Sequence, residues 1–338
     1  MSPSGNTLVF LNGGLGNFVI AAPVLAALAA ARPGSRFHLP EHDVLGQPWF
    51  TDALGPSGLA ATYPPLWRRC QPDDIPAMLE FMAGNGVTTL LNFRCEWIGA
   101  DGRYLAFREQ ARRAGIECLD FHQLPPAEQV KPIAEQMVSV LARAGVELPE
   151  PDWAFLSHLR QGRRPSGIGC YVGASTGVKR WQAARWNDCV AHLARLTDGE
   201  ITIGAGPVEA ERRLAARVVS DSGGLARPVE FSDVRALIDW IAGLEVLVSN
   251  DTLAVHLAAG LGCPVVALYL ATDGRIWSPV TLPGRLEAVQ SATALRCRAM
   301  KPDGTCRRFY LGCPAPCRNA VSAADVVSAA DRILERVG

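Results

Sequence analysis

The sequence predicts an α/β protein with two parallel sheets, one in each half of the chain. Apolar, β-rich runs alternate with alanine- and leucine-rich helical patterns in both halves. This alternation is typical of parallel sheets, whose ligand sites lie at the carboxyl ends of the strands. The 338 residues exceed one average domain and 49 % of them are hydrophobic, so each half can bury its own core. Two such sheets facing each other would form a cleft.

The first half contains two clear strand patterns. Residues 7–12 (TLVFLN) predict a strand that leads through a glycine-rich turn into a helix reaching about Ala31. Residues 86–94 predict a second buried strand, which follows a helical stretch at 73–85. Between them, residues 36–50 combine proline, glycine and aromatic side chains, which indicates a strand end and a functional loop.

The second half repeats the alternation and ends in a helix that begins after a Ser322 cap. A strand followed by a loop is predicted at 166–175, further strands at 200–206, 244–251 and 264–271, and helices at 185–196, 207–220, 254–262 and 321–337. Proline, glycine and charged residues cluster at 148–167, so we place the domain boundary there. The predicted domains are therefore 1–160 and 161–338.

Charge and hydropathy exclude several classes of protein. Lys plus Arg and Asp plus Glu both total 33, so no global field steers the chain towards nucleic acid. The longest apolar run, 18–31, is interrupted by Pro23 and is shorter than the roughly 20 residues that span a bilayer. The first residues show no signal peptide, so we expect a cytoplasmic protein without a membrane span. Peripheral association with a membrane stays open.

The turn "NGGLGN", residues 12–17, joins the first strand to the first helix. Backbone N–H groups at such a helix start suit a phosphate or another anion. The dinucleotide fingerprint fails, because its third glycine position is Val19 in one register and its second is Leu15 in the other. A nicotinamide enzyme is therefore disfavoured. A tight turn that uses glycine for positive φ remains an equal alternative.

Two stretches of the second half carry polar groups just beyond predicted strands. "GASTGVKRW" gathers Ser175, Thr176 and Lys179 before a helix, a good arrangement for a pyrophosphate, although a solvated loop is the alternative. "VSNDTLAVHL" ends a strand at Asp251 and Thr252 and places His256 one helical turn further on. These three groups can face one ligand. Asp251 and Thr252 can equally form a helix cap and His256 can be a core histidine, and the cap is compatible with a phosphate at the helix N-terminus.

These motifs, together with "GGLGNFVIAAPVLAALAAARPGSRF" and the C-terminal cysteines, resemble glycosyltransferase family 9 in order and spacing. That is the heptosyltransferase family, which uses ADP-heptose donors in lipopolysaccharide assembly. The resemblance reaches both halves and is loose over residues 37–162. It implies a GT-B fold: two Rossmann-like domains with parallel sheets facing an interdomain cleft, the first binding the acceptor and the second the nucleotide sugar. It also implies inversion at the anomeric carbon without a catalytic metal.

The resemblance assigns site residues by position. Beside the strand-end groups named above, Glu209 is a candidate for the nucleoside ribose, with Glu211 as the second choice. Gly14 and Gly16 of the first turn also fall among the donor-binding positions. Lys179 would stabilise the charge that develops on the leaving nucleoside diphosphate.

Two positions depart from the family pattern. The family's proposed general base is an aspartate where this chain has Asn17, and an amide accepts no proton at neutral pH. The base then comes from elsewhere, or the acceptor needs little base help, or the protein binds a sugar nucleotide without transferring it. Leu253 replaces a usual glycine, and its side chain can crowd the backbone's approach to phosphate.

The alternative bases are acidic or imidazole groups of the first half, any of which can equally be a solvated loop charge. They are Glu41, His42, Asp43, Glu96 and Asp101. Of these we assign Asp43, with Asn17 and Lys179, to the catalytic set.

Ten cysteines in a reducing compartment are expected to be thiols rather than disulfides. Four of them, Cys297, Cys306, Cys313 and Cys317, crowd near the C-terminus. Four thiolates can hold zinc or iron, but this spacing is a weaker signal than paired C-x2-C motifs. A structural metal and four reduced thiols both stay open, and no cofactor is expected for catalysis.

The leading interpretation is an inverting glycosyltransferase. It would move a heptose or related sugar from a nucleoside diphosphate donor, ADP-linked by the resemblance, to a saccharide, small-molecule or peptide acceptor. The alternatives are a non-catalytic sugar-nucleotide-binding or scaffold protein, and a GT-B isomerase or epimerase that acts on the nucleotide sugar itself.

Overall fold

The computed structural model of the chain describes residues 5–54, 59–93, 102–308 and 313–337. The contacts divide the chain into two compact units, Met1–Asp152 and Trp153–Gly338. This division falls inside the segment where the sequence places the boundary. Residues 153–160 lie in the second unit rather than the first, because Leu156 N donates to Gly260 O and Arg160 Nη2 donates to Leu244 O.

The first unit is built on a five-stranded parallel sheet with the order β3-β2-β1-β4-β5. The strands are β1 (Asn6–Phe10), β2 (Phe37–Pro40), β3 (Leu59–Tyr63), β4 (Val87–Asn92) and β5 (Glu117–Asp120). The helices are α1 (Leu15–Ala31), α2 (Pro48–Leu54), α3 (Ile75–Gly84), α4 (Gly102–Arg113) and α5 (Ile133–Arg143). Leu8, Phe10, Tyr104 and Phe107 lie in its buried core.

The second unit contains a six-stranded parallel sheet with the order β11-β10-β9-β6-β7-β8. The strands are β6 (Ile168–Tyr171), β7 (Ile201–Gly204), β8 (Ala226–Val229), β9 (Val246–Asn250), β10 (Val265–Tyr269) and β11 (Leu286–Gln290). The helices are α6 (Ala183–Leu193), α7 (Glu209–Asp221), α8 (Val234–Ala242), α9 (Leu253–Gly260), α10 (Gly274–Trp277), α11 (Ala292–Leu295) and α12 (Ala323–Val337). Trp181, Trp186 and Val248 are fully buried in its core.

The predicted α/β class with two parallel sheets is confirmed, and each sheet reverses its strand order once. In the second sheet the chain runs from β6 outward to β8, then returns to β9 and runs outward to β11 on the other side. The reversal lies between β6 and β9, and ligands of open parallel sheets bind at such a switch point. In the first sheet the reversal lies between β1 and β4.

Local sequence signals account for individual elements. β9 is buried at every residue, and its first three residues form the apolar run that is typical of a central parallel strand. The predicted Ser322 cap is confirmed, because its hydroxyl accepts the Asp325 backbone N–H while the Asp325 carboxylate accepts the Ser322 N–H. Pro23 lies inside α1, which is buried over most of its length.

Among the described residues, no helix combines the length and the apolar character that a membrane crossing requires. The cytoplasmic location stays a prediction.

Candidate functional site

Thr176, Lys179 and Asp251, three of the predicted ligand-binding residues of the second unit, meet at its switch point. The loop after β6, residues 172–181, is called the β6 loop below, and it lies beside the residues that follow β9. Because β6 and β9 are parallel neighbours, their carboxyl ends open at the same edge of the sheet.

Side chains of the second unit hold the first carbonyl groups of the β6 loop in place. Asn250, fully buried at the end of β9, donates from Nδ2 to Val172 O at 2.8 Å and to Gly173 O at 3.3 Å. Arg180 Nε donates to Ala174 O at 2.9 Å. With its carbonyls occupied by protein, this side of the loop is closed to a ligand.

The N–H side of the β6 loop is open. Within the described part of the chain, no group accepts the backbone N–H of residues 175–178. The Thr176 hydroxyl is also without a hydrogen-bond partner there, although the residue is only 5 % exposed. A buried donor without an acceptor is costly, so an incoming anion that accepts these hydrogen bonds is favoured.

Lys179 brings a positive charge to this loop. Its Nζ lies 2.7 Å from Asp251 Oδ2, and the two side chains are 14 % and 4 % exposed. The Thr272 hydroxyl, after β10, donates to the same carboxylate oxygen at 2.7 Å. The structure therefore joins the ends of three strands in one hydrogen-bonded network, and Asp251 contacts the lysine rather than standing free for a ligand.

The residues after Asp251 begin α9. Thr252 is its N-cap, and its hydroxyl accepts the Ala254 backbone N–H at 3.2 Å, so the cap alternative is confirmed. His256 is buried, and its Nδ1 has no partner among the described residues. Burial lowers the pKa of His256 to about 4, with Asp251 opposing the shift and Lys179 adding to it. The imidazole is therefore neutral at pH 7.

Glu209 and Glu211 lie in different environments at the start of α7. Glu209 is exposed and pairs with Arg212 and Arg213 on the helix surface. Glu211 is buried and accepts the backbone N–H of Gly206 at 3.0 Å and that of Ala174. Burial raises the pKa of Glu211, against the opposing effect of Arg180 and the two N–H groups.

Glycine is required on both sides of Glu211. A Cβ at Gly173 would lie 2.5 Å from Glu211 Oε2, and a Cβ at Gly206 would collide with the same atom. The carboxylate thus joins the β6 loop to the loop after β7 through a gap that admits no side chain.

A cavity of about 330 Å³ opens at the carboxyl ends of β6, β7 and β8. The rings of Tyr171 and Phe231 line it and stack with centroids 6.3 Å apart. Leu253, the first residue of α9, also lines it. A flat ring can pack against such aromatic walls, so the cavity suits a heterocyclic base.

The glycine turn of the first unit leads directly into α1. Gly14 is the N-cap with φ −89° and ψ 141°, so the proposed need for positive φ is not met at this residue. Gly16 is the second residue of the helix. The Asn17 side chain folds back on the turn and donates from Nδ2 to Gly14 O at 3.3 Å.

The candidate bases of the first unit differ in their surroundings. Asp43 is exposed at the start of a short 3-10 helix, Asp43–Gly46, and Glu41 is also exposed. The His42 ring packs against Phe18, the residue after Asn17, with centroids 4.7 Å apart. Glu96 and Asp101 lie outside the described residues.

The four C-terminal cysteines line one cavity of about 40 Å³ together with Val178 and Ala271. All four are free thiols, and Cys297 is exposed. Burial raises the pKa of Cys317. Across the described ranges, however, no three His, Cys, Asp or Glu side chains converge closely enough to hold a metal ion.

Sequence reasoning missed three groups that organise this site: Asn250, Thr272 and the bracing position of Glu211. Asn250 and Thr272 each lie next to a strand end, which is the only local signal that points to them. Their partners come from neighbouring strands, and strand order is not visible in the spacing of one chain.

Residues 127–299, half of the chain, match the sequence profile of glycosyltransferase family 9 (heptosyltransferase). No curated protein sequence matches the chain. The fold is similar to the glycosyl transferase family 9 protein from Veillonella parvula DSM 2008, at 16 % identity and a TM-score of 0.67, covering 99 % of this chain and 98 % of that one.

Two further structures are similar. Escherichia coli heptosyltransferase WaaC with ADP-2-deoxy-2-fluoro heptose aligns at 16 % identity and a TM-score of 0.60, over 86 % of this chain and 94 % of that one. The iron-containing dodecameric glycosyltransferase TibC from enterotoxigenic E. coli H10407 aligns at 12 % identity and a TM-score of 0.59, over 99 % and 77 %. At these identities the likeness concerns the fold, and it confirms the predicted GT-B class.

Proposed function

Since the chain belongs to glycosyltransferase family 9, we propose that it transfers a heptose or related sugar from an ADP-linked donor to an acceptor hydroxyl. The acceptor classes remain those predicted from the sequence: a saccharide, a small molecule or a peptide. Family membership makes the protein a glycosyltransferase; the donor, the acceptor and the residue roles are the proposal.

The observation that carries the proposal is the anion site of the β6 loop. The backbone N–H groups of residues 175–178 and the buried Thr176 hydroxyl lie together without an acceptor among the described residues, beside the Lys179 ammonium that pairs with Asp251. A diphosphate offers the oxygen atoms that these groups require. The cavity beside Tyr171 and Phe231 would then hold the nucleoside.

The geometry supports an inverting displacement. The acceptor oxygen attacks the anomeric carbon, the bond from that carbon to the phosphate oxygen breaks, and its electron pair stays on the departing nucleoside diphosphate. Negative charge grows on that phosphate in the transition state. Lys179 and the loop N–H groups are preorganised to stabilise it, and the neutral His256 can donate or accept a hydrogen bond without adding charge.

The proton of the acceptor hydroxyl needs a base other than Asn17. We propose that residues 41–43 supply this base. Asp43 is exposed there, and the His42 ring contacts Phe18 beside the N-terminus of α1. Asp43→Asn and His42→Asn, tested separately, identify the base. The variant that removes the base is expected to lower kcat at nearly constant donor KM. It is also expected to remove the acid limb from the pH dependence of kcat.

The donor proposal is tested by calorimetry and thermal shift with ADP, GDP, UDP, CDP and dTDP. We expect ADP to bind and to raise the melting temperature in proportion to its affinity. If none of the five binds, the donor site is assigned wrongly. Incubation with ADP-heptose alone separates the alternatives: an epimerase or isomerase converts it without an acceptor, and a binding protein leaves it unchanged.

We also retain the structural zinc or iron at the cysteine cluster as a proposal. The proposal is supported by four thiols that line one cavity. Among the described residues these thiols do not lie close enough together to form a set of metal ligands. Elemental analysis of the purified protein, with Cys306→Ser as the comparison, decides it. If the purified wild-type protein contains neither zinc nor iron, the proposal is overturned.

A further inference from the structure

The described parts of the cysteine-rich segment, residues 297–308 and 313–318, pack against the β6 loop. Val178 of that loop forms a small buried apolar cluster with Ala271 and Ala315. Cys306, Cys313 and Cys317 pack against the same cluster. A segment with no part in the proposed chemistry therefore shares a core with the loop that would bind the diphosphate.

Two hydrogen bonds reinforce this contact. Arg318 Nη1 donates to Gly177 O at 3.1 Å across 141 positions of sequence. Trp181 Nε1, at the end of the β6 loop, donates at 3.2 Å to the carbonyl of Val321, three residues beyond the segment. The segment is itself anchored to the sheet, because the buried Ser291 hydroxyl donates to Cys317 O at 2.9 Å.

The backbone at Ala315 shows that this packing is enforced. Ala315 has φ +47° although it is not glycine, and it is 2 % exposed. Left-handed backbone in a residue with a Cβ persists where the surrounding structure over-determines it, and it clusters at sites that serve a function. Here it places a methyl group into the cluster with Val178.

The planar trans peptide gives the Arg318 contact a directional effect. In such a unit the carbonyl of one residue and the N–H of the next point in opposite directions. Holding Gly177 O on the Arg318 side therefore directs the Val178 N–H to the opposite side of the loop. The backbone N–H of Arg180 also reaches Gly177 O, at 3.3 Å, so the carbonyl is held by two donors.

We propose that Arg318 is a positioning residue for the nucleoside diphosphate, acting through Gly177 to preorganise the β6 loop. The inference rests on the proposed function for the identity of the ligand but not for the bracing of the loop. The cysteine-rich segment is then a support of the donor site rather than an appendage.

The test compares Arg318→Ala and Arg318→Lys with Arg298→Ala, an exposed arginine of the same segment that makes no described side-chain contact. Two quantities are measured: the Kd of ADP by calorimetry and, in ligand-free protein, the hydrogen exchange of the Lys179 and Arg180 backbone N–H groups, which donate to carbonyls within the loop. For Arg318→Ala we expect faster exchange and an ADP Kd raised about tenfold. We expect partial recovery in Arg318→Lys and no change in Arg298→Ala.

Several outcomes overturn the inference. Equal exchange and equal affinity in Arg318→Ala and Arg298→Ala show that the contact of Arg318 with Gly177 neither orders the loop nor contributes to ADP binding. Weaker affinity with unchanged ligand-free exchange shows that Arg318 touches the ligand directly and does not position the loop. If the wild-type protein binds no nucleoside diphosphate, the proposed function fails, and the exchange rates alone decide the bracing role. Should Arg318→Ala fail to fold, Arg318→Lys supplies both measurements.

Discussion

The Lys179 ammonium and the Asp251 carboxylate form an ion pair of 2.7 Å at the switch point of the second sheet. The Thr272 hydroxyl completes the coordination of the carboxylate. Because the ion pair already holds the lysine side chain, binding of the proposed phosphate beside it would cost little side-chain entropy. The ion pair thus fixes the position of the Lys179 ammonium in addition to contributing a positive charge.

Replacing Lys179 by alanine is expected to weaken ADP binding by at least about tenfold, since a charge-assisted hydrogen bond to phosphate is lost. It also leaves the Asp251 carboxylate buried without its cation, at a cost on the order of 3 kcal/mol in unfolding free energy. Calorimetry and urea unfolding measure the two effects. Lys131→Ala, at an exposed position of the first unit, is the control. Unchanged ADP affinity in Lys179→Ala contradicts the site assignment.

Glu211→Ala should lower the unfolding free energy by about 1–3 kcal/mol, because the Gly206 and Ala174 N–H groups lose their buried acceptor. Glu335→Ala, at an exposed position of α12, is the matched control and should be neutral. Glu209→Ala separates the two proposed ribose contacts: it lowers ADP affinity without a change in stability if Glu209 meets the ribose. If Glu211→Ala leaves the unfolding free energy unchanged, Glu211 does not brace the two loops.

Acid should destabilise the protein through His256. Burial holds its folded-state pKa at about 4, below the unfolded value of about 6.5, so the unfolded chain binds more protons as the pH falls. The stabilisation is complete above pH 6.5 and is lost towards pH 4, by on the order of 2 kcal/mol between pH 7 and pH 5. Burial lowers the pKa of His38 as well, and this acts in the same direction.

Urea unfolding at the two pH values checks this, with His256→Gln and the exposed His158→Gln as variants. His256→Gln should flatten the pH dependence, whereas His158→Gln should keep it. An equal slope in wild type and His256→Gln would show that His256 is not buried as a neutral group.

Asn17→Asp should raise the melting temperature, and its turnover tests whether the working base lies within residues 41–43. The first turn of α1 contains no acidic residue, and a carboxylate there interacts favourably with the helix dipole by about 0.3–1 kcal/mol. A carboxylate can also accept the acceptor's proton, which the amide cannot. Thermal unfolding and donor turnover are measured beside Asn17→Ser. Higher stability without higher turnover places the working base elsewhere.

Leu253→Gly should weaken ADP binding and reduce the difference in affinity among nucleoside diphosphates. The side chain lines the cavity of about 330 Å³, and burying a leucine against a ligand contributes about 1.5–3 kcal/mol at most. Calorimetry with ADP and UDP measures the selectivity, and Leu225→Gly, an exposed leucine outside the cavity, is the control. An unchanged ratio of affinities shows that Leu253 does not select the base.

The sequence predicted the central strands well because they contain uninterrupted apolar runs, Val246–Val248 in β9 and the whole of β10. It missed β8 and β11, which lie at the two edges of the second sheet and carry charged residues such as Arg227 and Glu287. Charged residues interrupt the apolar pattern from which a strand is predicted. Hydrogen bonds to the neighbouring strand hold these edge strands in the sheet, and the local sequence does not show that pairing.

The candidate site was predictable where its groups follow a strand directly. Thr176, Lys179, Asp251 and His256 belong to that set, and the structure brings them to one edge of the sheet. The contact of Arg318 with Gly177 was not predictable, because it joins positions far apart in the chain. Local periodicity contains no information on which loop packs beneath another.

The edge strand β8 also has a bearing on self-association. Its four residues include Pro228, which offers no backbone N–H, and the exposed Arg227, which pairs with Glu200. An unprotected edge of a parallel sheet is a template on which another chain can add a strand. Proline and a charged side chain on so short an edge oppose such addition. The edge of the sheet beside the cavity of about 330 Å³ is thereby protected against the addition of another strand.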